Sequence, residues 1–91
     1  MKQKVIKTKL QINQEGHLSD LEIGQTGIVL ALHNSEVSLR RRLLDMGITK
    51  GVEIYIEGKA PLGDPINVRL RGYNLAMRLF DMSQIDIKRI G

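Results

Sequence analysis

Three stretches of this sequence alternate apolar and polar residues with a period of two. Val52, Ile54 and Ile56 alternate with Glu53, Tyr55 and Glu57. Ile66, Val68 and Leu70 alternate with Asn67, Arg69 and Arg71, and Leu75, Met77 and Leu79 alternate with Ala76 and Arg78. That period puts successive side chains on opposite faces of a strand, so each stretch is predicted to be a half-buried strand. Gly72-Tyr73-Asn74 forms a tight turn between the last two, which predicts a β-hairpin. Ala60-Pro61-Leu62-Gly63-Asp64-Pro65 is a loop, with prolines and a glycine concentrated in a short span.

The remaining elements are shorter or less regular. Gly27 opens the apolar run Ile28-Val29-Leu30-Ala31-Leu32, which suits a buried strand. Asn34 or Ser35 can cap a helix over 36–46. Leu39, Leu43 and Met46 fall on one face of it, with Val37 and Leu44 beside them, and Gly47 follows its end. Ser19 and Glu22 have capping-box spacing for a single turn, with Leu18, Leu21 and Ile23 as its apolar side. Asp81-Met82-Ser83-Gln84 suggests another turn, and Ile85 and Ile87 a last strand. Residues 1–16 are ambiguous: Val5, Ile6, Leu10 and Ile12 can alternate into a strand, but their Lys, Gln and Asn neighbours equally suit a loose extension.

These elements predict a mainly β fold of about five short strands, one α-helix and one or two helical turns. A length of 91 residues suits a single domain. Five short strands cannot form two full sheets. A small, strongly bent β-barrel with the helix packed on one side removes the most strand edge. The expected organisation is a basic extension over 1–16 and a barrel domain over 17–91.

Composition removes several function classes. There is no cysteine, so disulfides, thiolate metal sites and thiol nucleophiles are out. No run approaches the roughly 18–20 apolar residues of a membrane span. The charged N-terminus lacks the apolar core of a signal peptide, and a cytoplasmic protein is expected. The net charge of +4 invites a nucleic-acid hypothesis. However, Lys2, Lys4, Lys7 and Lys9 lie in a stretch without acids, and the basic and acidic residues that follow cancel. The only aromatics are Tyr55, Tyr73 and Phe80, too few for a base-stacking platform. No phosphate-binding glycine motif occurs. His17 and His33 lack metal-ligand spacing, and neither His17–Ser19 nor His33–Ser35 has an orienting third group. No enzyme activity, cofactor or metal ligand is predicted from the residues.

Three features remain as candidate recognition elements. Arg40-Arg41-Arg42 fan across about 200° of a helix, so they cannot share one narrow face. They serve either as a solvated surface paired locally with Asp45 or as an anchor for an acidic partner. Leu62 tips the proline-rich loop. Tyr73, at the hairpin turn, either plugs the barrel or faces a partner. Cross-strand pairing of Glu53 and Glu57 with Arg69, Arg71 and Arg78 is expected on the outer sheet face.

The segments Leu39-Arg40-Arg41-Arg42-Leu43-Leu44-Asp45-Met46-Gly47-Ile48-Thr49-Lys50-Gly51, Ala60–Pro65 and Arg71-Gly72-Tyr73-Asn74-Leu75-Ala76-Met77-Arg78 closely resemble FeoA, the small cytosolic component of bacterial ferrous iron transport. Leu18-Ser19-Asp20-Leu21 and Gly24-Gln25-Thr26-Gly27 also resemble that family's opening. The resemblance covers about 17–90 and leaves the basic extension unexplained. It implies an SH3-like barrel with a helix after the first strand. It also implies a non-enzymatic regulatory subunit, peripheral to the membrane, acting with a permease that bears a cytosolic GTPase domain. Transition-metal binding is a family-level association. By position, Arg40, Arg41, Arg42, Leu62 and Tyr73 would contact the partner, while Gly47, Gly51, Gly63 and Gly72 would serve turns. No direct nucleic-acid partner is expected, and the chain is expected to be a monomer or weak dimer. Alternatives are a basic SH3-like nucleic-acid-binding module, dependent on the lysine extension, or a metal-sensing regulatory domain using His17 or His33. The same fold occurs behind helical DNA-binding domains in metal-dependent repressors, but no such domain is read ahead of it here.

Overall fold

The computed structural model describes residues 9–33 and 36–91. Lys2, Lys4, Lys7, Val5 and Ile6 of the basic extension, and the expected helix caps Asn34 and Ser35, lie outside the described residues. The chain folds into a six-stranded antiparallel sheet with short helices. Its strands are β1 (Glu15–His17), β2 (Thr26–Leu32), β3 (Glu53–Lys59), β4 (Ile66–Leu70), β5 (Tyr73–Met77) and β6 (Ile85–Arg89). Helix α1 (Val37–Asp45) follows β2, and the one-turn α2 (Leu79–Met82) follows β5. A 3-10 turn, Leu18–Asp20, follows β1.

The strand order is β1-β6-β2-β3-β4-β5. The barrel is therefore open, with β1 and β5 as its edges. The 3-10 turn and α2 pack together, placing buried Leu18 and Met82 in the core. The sixth strand is β1, which pairs Glu15 with Lys88, Gly16 with Ile87 and His17 with Asp86. It is too short to leave an alternating pattern in the sequence. The chain just before it is also tied down. The Asn13 N–H donates to the Arg89 carbonyl at 2.6 Å, and Arg89 returns an N–H to the Gln14 carbonyl at 2.8 Å. Arg89 Nη1 donates to the Leu10 carbonyl at 2.8 Å.

The alternation is realised as expected in β3 and β4. Ile54, Ile56, Ile66, Val68 and Leu70 are buried against Val29, Leu39, Leu43, Ile48, Ile85 and Ile87. Burying aliphatic side chains of this size stabilises the fold by roughly 1.5–3 kcal/mol each before the entropy cost of ordering them. No polar or charged side chain is buried among the described residues. In β2, Val29 is buried, while a register shift between Val29 and Ala31 leaves Ala31 exposed.

Local departures from expectation have physical causes. The first turn is not capped by Ser19 with Glu22. Instead, the His17 N–H donates to Asp20 Oδ2 at 2.9 Å, two positions earlier. Leu79 does not continue β5 but starts α2. Its N–H donates to Asp64 Oδ1 at 3.0 Å, a cap supplied by the β3–β4 loop. On α1, Leu39 and Leu43 are buried, but Val37 is 70% exposed and Leu44 44% exposed. At about 100° per residue, Val37 lies opposite Leu39, and seven residues bring Leu44 back to Val37's side. The apolar stripe is thus narrower than expected.

Candidate docking surface

Helix α1 leads into β3 through Met46–Gly51, and the β4–β5 turn grips this connection. Arg71 Nε donates to the Gly47 carbonyl at 3.1 Å, and Arg71 Nη2 to Thr49 Oγ1 at 3.0 Å. The Tyr73 hydroxyl donates to the Met46 carbonyl. Gly47 has φ +89°, and a Cβ there would lie 3.2 Å from Arg71 Cδ. Glycine therefore suits both the left-handed helix end and the close approach of Arg71. Gly51, Gly63 and Gly72 also have positive φ, at +92°, +89° and +84°. Tyr73 is neither a barrel plug nor wholly free for a partner. Its hydroxyl holds the end of α1, while the residue remains 42% exposed.

The three arginines divide between two surfaces, as their angular spread requires. Arg40 and Arg41 join Val37, Leu44 and Asp45 along a groove of about 350 Å³ on the outer side of α1. Arg42 turns toward α2 and donates from Nη2 to Asp81 Oδ2 at 3.1 Å. There it lines a second cleft, of about 340 Å³, with Met46, Ala76, Met77, Arg78 and Asp81. Leu62 is 96% exposed at the tip of the β3–β4 loop. That loop is joined to α2 by the Asp64–Leu79 bond, and Phe80 in α2 is 64% exposed. Tyr73 follows the β4–β5 turn and Leu62 lies in the loop before β4, so the length of β4 stands between them.

Val37, Leu44 and Phe80 were absent from the sequence-derived candidates. The spacing of Val37 and Leu44, two helical turns apart, could have signalled an apolar outer stripe between Arg40 and Arg41. Phe80 became exposed because Leu79 starts a helix rather than extending a strand.

The outer sheet face carries one strong pair. Arg69 Nη2 donates to both carboxylate oxygens of Glu57 at 2.6 Å, and its guanidinium lies 5.3 Å from the centroid of the Tyr55 ring. The hydrogen bond to Glu57, then its charge, raises the Arg69 pKa. Of the other expected pairings, Arg71 is committed to α1. Among the described residues no carboxylate lies within ion-pair distance of Arg78.

The sheet also gathers the two histidines. His17 pairs with Asp86 across β1–β6, and His33 follows Leu32, which pairs with Ile85. His17 Nε2 and His33 Nδ1 each lie 3.6 Å from a different oxygen of Asp86. These separations exceed a hydrogen bond. Among the described residues no group of three or more His, Cys, Asp or Glu side chains is arranged to hold a metal ion.

The FeoA domain model matches residues 16–89. The chain is 33% identical, over 73 residues, to a fusion of Fe(2+) transport protein A with the Fe(2+) transporter FeoB from Porphyromonas gingivalis. This covers 80% of the chain but only 8% of that protein's length. The FeoA-like protein of Clostridium acetobutylicum superposes with a TM-score of 0.75 at 43% identity, covering 84% of this chain and 87% of that one. Stenotrophomonas maltophilia FeoA, an SH3-domain protein solved with zinc, shares the fold at 24% identity and a TM-score of 0.69, over 78% of this chain and 87% of that one. With its SH3-like open barrel and a family match spanning nearly all the described residues, the chain belongs to the FeoA family.

Proposed function

We propose that this chain is a non-enzymatic accessory subunit of ferrous iron transport that docks on the cytosolic, GTPase-bearing part of an iron permease. The observation carrying this reading is the Porphyromonas gingivalis relative, in which transport protein A and the FeoB transporter form one polypeptide. Such fusion makes association intramolecular and raises effective concentration. The surface chemistry supports it. Arg40, Arg41 and Arg42 offer charge, Val37 and Leu44 offer apolar contact beside Arg40 and Arg41, and Leu62 offers a separate apolar tip on the β3–β4 loop. Arginine is enriched at docking surfaces, and apolar neighbours help to exclude water around it. Tyr73 contributes its ring face while its hydroxyl fixes α1. Among the described residues no helix is long and apolar enough to cross a membrane. On this reading the subunit works from the cytoplasmic side, as a peripheral partner of the permease. Docking would alter the permease's GTPase or assembly state without iron touching this chain.

Capture from membranes containing the permease tests the proposal. Tagged protein should retain the permease at physiological salt, and an Arg40→Glu, Arg41→Glu double variant should retain much less. Failure of the wild-type protein to retain it would contradict docking.

A further inference from the structure

Strand β5 ends the sheet at one side. The Arg71-Gly72 turn joining it to β4 has positive φ at both residues, +49° and +84°, the type I′ pattern of a two-residue hairpin. Such a turn makes Leu70 and Tyr73 its closing hydrogen-bonded pair. Alternation then directs the backbone groups of Leu75 and Met77 to β4 as well. The N–H and C=O groups of Asn74 and Ala76 point to the open side. Among the described residues nothing hydrogen-bonds to those groups.

Open edges are usually guarded by charge, proline, a bulge or brevity. The five residues Tyr73-Asn74-Leu75-Ala76-Met77 contain no charge and no proline, and they pair with β4 without a register shift. Asn74 and Ala76 are exposed. The opposite edge, β1, is only three residues long. Beside the β5 edge runs the cleft lined by Arg42, Met46, Ala76, Met77, Arg78 and Asp81. Met46 and Met77 give it an adaptable apolar wall, and Arg78 stands exposed at the strand's end.

We propose that β5 is a strand-addition site. An extended segment of the partner pairs with Asn74 and Ala76, sets an apolar side chain against Met46 and Met77, and places a carboxylate on Arg78. Main-chain pairing supplies affinity, and the cleft with Arg78 supplies specificity. This rests on the docking reading above and names the element the permease engages. Charge favours an acidic partner over a second copy. Twofold pairing of Asn74 with Ala76 would set Arg78 of one copy opposite Gly72 of the other, and 72–77 contains no carboxylate to answer it.

The test is amide hydrogen exchange of the full chain with and without the permease's cytosolic domain, alongside affinities of variants. Exchange at Asn74 and Ala76 should slow at least tenfold on binding, while Leu75 and Met77, already bonded to β4, change little. Ala76→Pro removes one outward N–H but no bond to β4, a placement edge strands tolerate; it should weaken binding at least tenfold. Arg78→Glu should weaken it independently of any effect of proline on folding. Wild-type binding with unchanged exchange at Asn74 and Ala76 overturns strand addition and leaves docking standing. No wild-type binding overturns both. Slowed exchange in the chain alone, growing with concentration together with a sedimenting dimer, overturns the partner in favour of a second copy.

Discussion

At the scale of single residues, Gly47 is where local conformation and tertiary contact coincide. Its φ of +89° and the 3.2 Å approach of Arg71 both oppose a side chain. Gly47→Ala should destabilise the domain by about 1–2 kcal/mol, from the left-handed conformation alone. Urea unfolding measures this, and an unchanged midpoint would contradict the cost assigned to the left-handed conformation. Arg69 offers the contrast. It makes two 2.6 Å bonds to Glu57, yet the residue is exposed. Arg69→Ala should therefore leave the urea midpoint nearly unchanged, because an exposed ion pair contributes little. The sequence showed that Arg40, Arg41 and Arg42 must diverge, and they do. It could not show that the Tyr73 hydroxyl is spent on Met46, because that contact depends on how α1 meets the hairpin. Nor could it show that one carboxylate, Asp86, comes between His17 and His33, which follows from the register of three strands.

At the scale of elements, α1 has two faces with different tasks. Leu43 is fully buried, so Leu43→Ala should cost about 2–5 kcal/mol through lost burial and an unfilled cavity. Val37→Ser and Leu44→Ser lie outside the core. Each should change stability by less than about 0.5 kcal/mol while reducing capture of the permease. Thermal melts paired with the capture assay separate these effects; a large stability loss would show that this face is packed. Strands β3 and β4 were legible because both alternate cleanly through their buried residues. The end of β5 was not, because Leu79 fits either period and a distant side chain, Asp64, makes it a helix start. The six-strand count was hidden for another reason: β1 takes its stability from pairing with β6, not from a pattern of its own.

At the scale of the whole molecule, closure is incomplete. The economy of edges that predicts a barrel holds for the interior strands, while β1 and β5 stay at the margins. The packed 3-10 turn and α2 cover part of the gap. Bulk charge was a poor guide to this arrangement. The lysine excess lies toward the N-terminus, whereas the arginines of interest sit on α1 and the hairpin in a body of balanced charge. The proposed role is association, so binding is the property to measure. Calorimetric titration of the full chain against the permease's cytosolic domain, at physiological salt, is the most direct measurement. We predict saturable binding that weakens at least tenfold in the Arg40→Glu, Arg41→Glu variant. The absence of binding, both with the isolated domain and with permease in membranes, would contradict the proposed role.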